Sequence, residues 1–216
     1  MRTHIKNSNP GRRWTRILGL SMGFILLLCN PLWAAPNLDL RGIPSEHSLH
    51  ELMQELRQQG VTEKEKVVAV NTFFNHMPRG LDETVWGRKD YWATPAELFQ
   101  KRRGDCEDVA IAKYFTLRKL GITDSHLRLA YGKIADLQQG TIEPHMVLIY
   151  MPGSHARPLV LDSLNQHLLT VPERQDLILE FTFNVESLWR WQDHSPSVLV
   201  GKADTLKPWR KLLKRL

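Results

Sequence analysis

The sequence predicts an α+β domain in which helices come first and an antiparallel sheet follows. Two observations predict it. Between Ser48 and Gly121 apolar residues recur at helical spacing in segments that open on strong capping residues. Beyond Gly121 the period changes to strand-like runs separated by turn formers. No internal repeat or low-complexity tract interrupts this plan.

Residues 1–35 read as an export signal that stands outside the fold. Arg2, Lys6, Arg12, Arg13 and Arg16 form a basic start, Ile17 to Cys29 is apolar, and the stretch ending Trp33-Ala34-Ala35 suits cleavage after Ala34. The apolar run is short against the about 20 residues of a membrane span, although an uncleaved inner-membrane anchor stays open. Leu28 is too large for a usual lipoprotein site at Cys29, and the residues after Arg12-Arg13 fit a twin-arginine signal poorly. The leader holds five of the 29 basic residues and no acid, so 24 basic and 23 acidic residues remain, a net charge of +1. The high pI therefore belongs mostly to the leader. With no distributed basic face and no recognition motif, nucleic-acid binding is not supported. Roughly 180 residues are left, enough for one domain with a sizeable core. It is expected over residues 36–191, with 192–216 as a basic tail.

Leu49, Leu52, Met53 and Leu56 make an apolar stripe for a first helix over Ser48–Gln58, stopped by Gly60. Thr62 and Glu65, in capping-box spacing, open a second that runs through Val67, Val70, Phe73 and Phe74 to about Met77, before Pro78. Residues 79–93 are expected as a loop rich in aromatics and acids. Thr94-Pro95-Ala96-Glu97 starts a third helix, with Thr as N-cap, Pro at N1 and Glu at N3. The next begins at Asp105 or Cys106 and ends at Gly121; Ala110, Ile111, Tyr114, Phe115, Leu117 and Leu120 supply its buried face. His126–Ile134, His145–Met151 and Pro158–Ser163 are the strand candidates, and Thr182–Val185 a fourth. In the tail, Lys202, Lys207, Arg210, Lys211, Lys214 and Arg215 alternate with Trp209, Leu212, Leu213 and Leu216. They suggest a short amphipathic helix, packed at the terminus or facing a membrane or partner.

The chemistry centres on Gly104-Asp105-Cys106-Glu107-Asp108. Cys106 is the one cysteine outside the leader, and an unpaired cysteine in an exported chain is a reactive-thiol candidate. An isolated cysteine in an apolar helix is otherwise a filler. The second and third strands form a hairpin through Pro152-Gly153-Ser154-His155. A symmetric register pairs Val147 with Val160 and sets His145 opposite Asp162, pointing to the same face; a slip of one residue would break this. Cys106, His145 and Asp162 then have the parts of a nucleophilic triad, with the helix start lowering the thiol pKa and offering amides for an oxyanion hole. A zinc site from the same three residues lacks paired-ligand spacing. Asp105, Glu107 and Asp108 pose a difficulty, since nearby negative charge disfavours a thiolate. Helix capping explains one or two of these acids. A bound cation would relieve the rest, and hard oxygen donors, with Asp90 and Asp82 as further candidates, point to calcium.

With these residues in view a family likeness is plain. Asp90-Tyr91-Trp92-Ala93-Thr94-Pro95-Ala96-Glu97-Leu98, the run from Gly104 through Leu117, His145-Met146-Val147-Leu148 and Leu159-Val160-Leu161-Asp162-Ser163-Leu164-Asn165 follow in order. Over roughly residues 45–190 the chain resembles the bacterial transglutaminase-like cysteine proteinases, and within them the LapG-type periplasmic adhesin-releasing proteases. The resemblance implies a papain-like or transglutaminase-like fold, a Cys106–His145–Asp162 triad, and calcium held by Asp105 and Glu107 with Asp90 as a further ligand. It implies cleavage of the N-terminal region of a giant adhesin at paired alanines, releasing cells from biofilm. It also implies sequestration by an inner-membrane cyclic-di-GMP receptor of the LapD type. A narrow groove lined by Trp86, Tyr91 and Trp92 would suit a small-residue cut site, with core packing the alternative for Trp92. Lys101-Arg102-Arg103 is more basic than the family pattern. Two other functions stay open on the residues: acyl transfer or deamidation of protein glutamine by the same triad, and a non-catalytic calcium-binding module.

Overall fold

Capping residues decide where the helices begin. In the computed structural model, which describes residues 42–216 apart from 137–138, 154–155 and 193–194, Ser45 and Ser48 form a capping box ahead of α1 (Glu46–Leu56). Thr62 and Glu65 do the same for α2 (Glu63–Asn75), and Thr94 and Glu97 for α4 (Pro95–Lys101). Each box satisfies amide groups that a helix start leaves bare. The expected export signal lies outside the described residues, among which no helix is long and apolar enough to cross a membrane.

Residues 79–93 are not wholly loop. Asp82–Trp86 forms the short helix α3, closed by Gly87 in the left-handed conformation. Five residues give too few turns for an apolar period to show. α5 (Cys106–Lys119) starts with Asp105 as N-cap and buries Val109, Ile111, Ala112, Tyr114 and Leu117. It packs on α2, α4 and the sheet, chiefly on the second strand.

The seven strands are β1 (Leu127–Asp136), β2 (Thr141–Tyr150), β3 (Leu159–Leu161), β4 (Leu169–Thr170), β5 (Leu177–Phe183), β6 (Ser187–Gln192) and β7 (Ser195–Lys202). They form one sheet in the order β4-β3-β2-β1-β5-β6-β7, antiparallel throughout. The α+β expectation holds. The fourth strand lies earlier than Thr182–Val185, because Asn184 ends it: its side chain accepts from the amides of Glu186 and Ser187 and turns the chain into β6.

The hairpin register needs correction. Leu148 pairs with Leu161 and Ile149 with Val160, two residues away from the symmetric expectation. Val147 therefore does not pair with Val160, and His145 is not directly opposite Asp162. A slip of two keeps side-chain parity, so the residues remain diagonal neighbours on one face.

Gly132 explains a kink beside this hairpin. It pairs with His145 on one side and sits at a bulge against β5 on the other. A Cβ there would lie 2.0 Å from the carbonyl oxygen of Ile178, so only glycine allows the approach.

The tail does contain a helix, α6 (Lys207–Leu213), and it belongs to the core. Trp209 is fully buried, stacked on Phe115 with ring centres 5.8 Å apart and edge-on to Phe183 at 5.2 Å. Arg215 continues from it to the carbonyl oxygen of Trp92 at 2.5 Å and to Glu97 at 3.3 Å.

Candidate active site

Cys106 opens α5, half-buried, with its thiol donating to Glu107 Oε2 at 2.8 Å. Burial pushes the thiol pKa up, the Glu107 carboxylate pushes it further, and a hydrogen bond from the Met146 backbone pulls the other way. That last contact seats the sulfur against β2 at the residue that follows His145.

His145 and Asp162 are both buried, and His145 Nε2 lies 2.8 Å from Asp162 Oδ1. The amide of Leu164 donates to the same oxygen at 2.9 Å. Burial raises the Asp162 carboxyl, but the His145 hydrogen bond and charge, the Leu164 amide and Arg174 outweigh it and hold the group at about 2. Arg174 Nη1 stands 2.7 Å from Asp162 Oδ2, as a close ion pair whose angle is poor for a hydrogen bond. The structure thus joins two of the three predicted catalytic residues directly and brings the third to the same strand. Arg174 was not foreseen: twelve positions beyond Asp162, in the connection to β5, it has no local sequence signal.

The carboxylates divide into two groups. Asp82, Asp105 and Asp108 each turn an oxygen into one space, all within 4.8 Å of one another. Of the three proposed ligands only Asp105 belongs to this cluster. Glu107 faces the thiol beside it and also bonds Asp105. Asp90, in the left-handed conformation at φ 53°, accepts from Trp92 Nε1 at 3.1 Å. Asp108, read from sequence as a helix-start acid, is fully buried and accepts from the Ala93 amide at 2.7 Å and Trp86 Nε1 at 3.3 Å. Its spacing was the available signal, since residues three apart share a helix face and Asp105 is at i−3.

Burial and mutual repulsion raise Asp82 to about 6, Asp105 to about 7 and Asp108 to about 8. Asp82 Oδ1 is buried without a hydrogen-bond partner. An orphaned oxygen and three crowded carboxylates fit a hard divalent cation with oxygen ligands, such as calcium, and not a zinc site.

The aromatic residues frame this ground. Trp92 is core, stacked on Phe183 with ring centres 5.7 Å apart. Trp86 and Tyr91 lie together at 4.7 Å, more open, with Lys101 over the first and Arg88 over the second. An apolar hollow of about 310 Å³ lies between Asp90, Trp92, Tyr131, Phe181 and Phe183. Within the basic stretch, Arg102 adopts the left-handed conformation that ends α4, and Arg103 packs against Gly80. A cysteine against a histidine strand, with a carboxylate fixing that histidine, can perform nucleophilic acyl chemistry.

Residues 44–176 match the model of a family described as bacterial transglutaminase-like cysteine proteinase. Among solved structures, Legionella pneumophila LapG treated with EGTA is 36% identical, with a TM-score of 0.66 over 78% of this chain and 86% of that one. Calcium-bound Legionella pneumophila LapG is 34% identical, with a TM-score of 0.64 over 78% and 87%. A comparison with curated proteins gives no match.

Proposed function

Because the chain belongs to the bacterial transglutaminase-like cysteine proteinases, we propose that it is a calcium-dependent periplasmic endopeptidase acting through Cys106, His145 and Asp162. The observation that carries this reading is the buried His145–Asp162 bond, on the strand whose next residue hydrogen-bonds the Cys106 sulfur.

Ionised Asp162 can only accept, so His145 Nε2 carries the proton between them and Nδ1 is left as the base. Nδ1 takes the thiol proton as the sulfur adds to the scissile carbonyl carbon. The Cys106 amide, at the N-terminus of α5, supports the developing oxyanion. His145 then protonates the departing amine, leaving a thioester. Water, giving a proton to His145, adds to that thioester; the sulfur leaves and the acid product is released. Asp82, Asp105 and Asp108 would hold the cation, flanked by Glu107 and Asp90. Its charge there would offset the carboxylates that hold the thiol protonated. The likeness to the calcium-bound relative supports this choice of ion.

The same likeness supports a substrate: the N-terminal region of a large cell-surface adhesin, cut at paired alanines so that cells leave a biofilm. It also supports control by an inner-membrane cyclic-di-GMP receptor of the LapD type, which would sequester the protease. The test is incubation of the protein with an adhesin N-terminal fragment, with and without chelator. New fragments should appear, vanish with chelator or with Cys106→Ala, and return with calcium but not magnesium. Full activity in Cys106→Ala would overturn the reading. A mass shift without fragments would replace proteolysis by glutamine modification.

A further inference from the structure

Asp162 is fully buried, and a lone buried carboxylate is expensive to ionise. Its oxygens have different partners. Oδ1 accepts from His145 and from the Leu164 amide, while Oδ2 meets Arg174 Nη1 at 2.7 Å. Arg174 is itself 4% exposed, and its Nε and Nη2 donate to the two oxygens of Asp176, each at 2.8 Å. Charge can thus alternate along His145, Asp162, Arg174 and Asp176, and the row reaches solvent at Asp176, whose side chain is 34% exposed. On the α5 side stands Lys113, fully buried and within electrostatic reach of Asp162. Its ammonium bonds Asn71 and Asn75, and Asn75 holds the carbonyl of Asn165 in the turn after Asp162.

We propose that Arg174 is a positioning residue for the triad: it anchors Asp162 through Oδ2 and keeps it anionic whatever the charge on His145, so that Oδ1 always offers an acceptor to Nε2. This rests on the triad reading above. The groups facing Asp162 are His145 from β2, Lys113 from α5, and Arg174 with Asp176 behind it. Histidine titrates, and burial brings Lys113 down to about 7. The guanidinium alone keeps its charge at every working pH. Its planar fork also suits the task, with two donors spent on Asp176 and the third aimed at Asp162. A lysine has the charge without the fork.

The test compares the full-length protein with Arg174→Gln, Arg174→Lys and Cys106→Ala. In Arg174→Gln, kcat should fall by about 10–100-fold, as when a supporting partner of a functional ligand is lost, with KM nearly unchanged. The Asp162 carboxyl carbon, followed by NMR and assigned by its absence in Asp162→Asn, should titrate about 1–3 pH units higher than in the parent. Arg174→Lys should restore the titration while kcat stays below the parent value. Parental kcat and titration in Arg174→Gln would overturn the inference, as would a lower melting temperature with both unchanged. If Arg174→Gln does not fold, Arg174→Lys decides: parental kcat there overturns it. The triad reading fails separately, through an active Cys106→Ala.

Discussion

Withdrawing calcium should destabilise the protein far more at alkaline than at acid pH. Asp108 is fully buried, and its carboxyl is pushed up from 3.8 to about 8 by burial first, then by Asp105 and Asp82. A carboxyl with a raised folded-state pKa favours folding most below its unfolded value. That advantage is lost as pH climbs towards the folded value. Between about pH 5 and about pH 8, Asp108 alone should remove roughly 4 kcal/mol from the ion-free protein. Asp105 and Asp82, raised to about 7 and about 6, act in the same direction. Asp162, held at about 2, changes only below this window and does not contribute to the difference. At about 2–4 °C per kcal/mol for a domain of this size, the ion-free Tm should fall by about 8–16 °C across the window. A cation bound to the ionised carboxylates lifts the penalty, so calcium should raise Tm strongly near pH 8 and weakly near pH 5. Calorimetric melts in chelator and in calcium at both pH values measure this. Equal increments at the two values, or an ion-free Tm that rises with pH, would refute the reasoning.

Two substitutions test the scaffold. Gly132→Ala sets a methyl against the Ile178 carbonyl, where backbone must move, and should cost about 3 kcal/mol in urea unfolding and lower cleavage through the neighbouring His145. Trp209→Ala empties an aromatic site between Phe115 and Phe183 and should cost about 3–5 kcal/mol by the same measurement; a loss under about 1 kcal/mol would show that α6 is not part of the core.

Caps and apolar stripes were legible because they are local. Thr62, Thr94 and Asp105 each begin a helix by bonding residues three positions ahead. The His145–Asp162 contact was legible through strand parity even though the register was off by two. Arg174 and Asp82 were harder, since their partners come from distant segments and no period links them. β7 was hidden for another reason: Val198, Leu199 and Val200 are consecutive and all exposed, so its apolar residues do not alternate. Glu107 shows the limit of adjacency, for it flanks the nucleophile as expected yet turns to the thiol and not into the three-carboxylate space.

The peptide group between Trp92 and Ala93 is gripped at both ends. Its carbonyl accepts from Arg215 and its N–H donates to Asp108. A guanidinium on the oxygen draws electron density through the amide and sharpens the N–H as a donor. The last turn of the chain thereby acts on the carboxylate cluster without touching it, through a single polarised amide. Ion affinity at the helix start and the seating of the C-terminus are then one mechanical property, and anything that pulls Arg215 away loosens the grip on the cation.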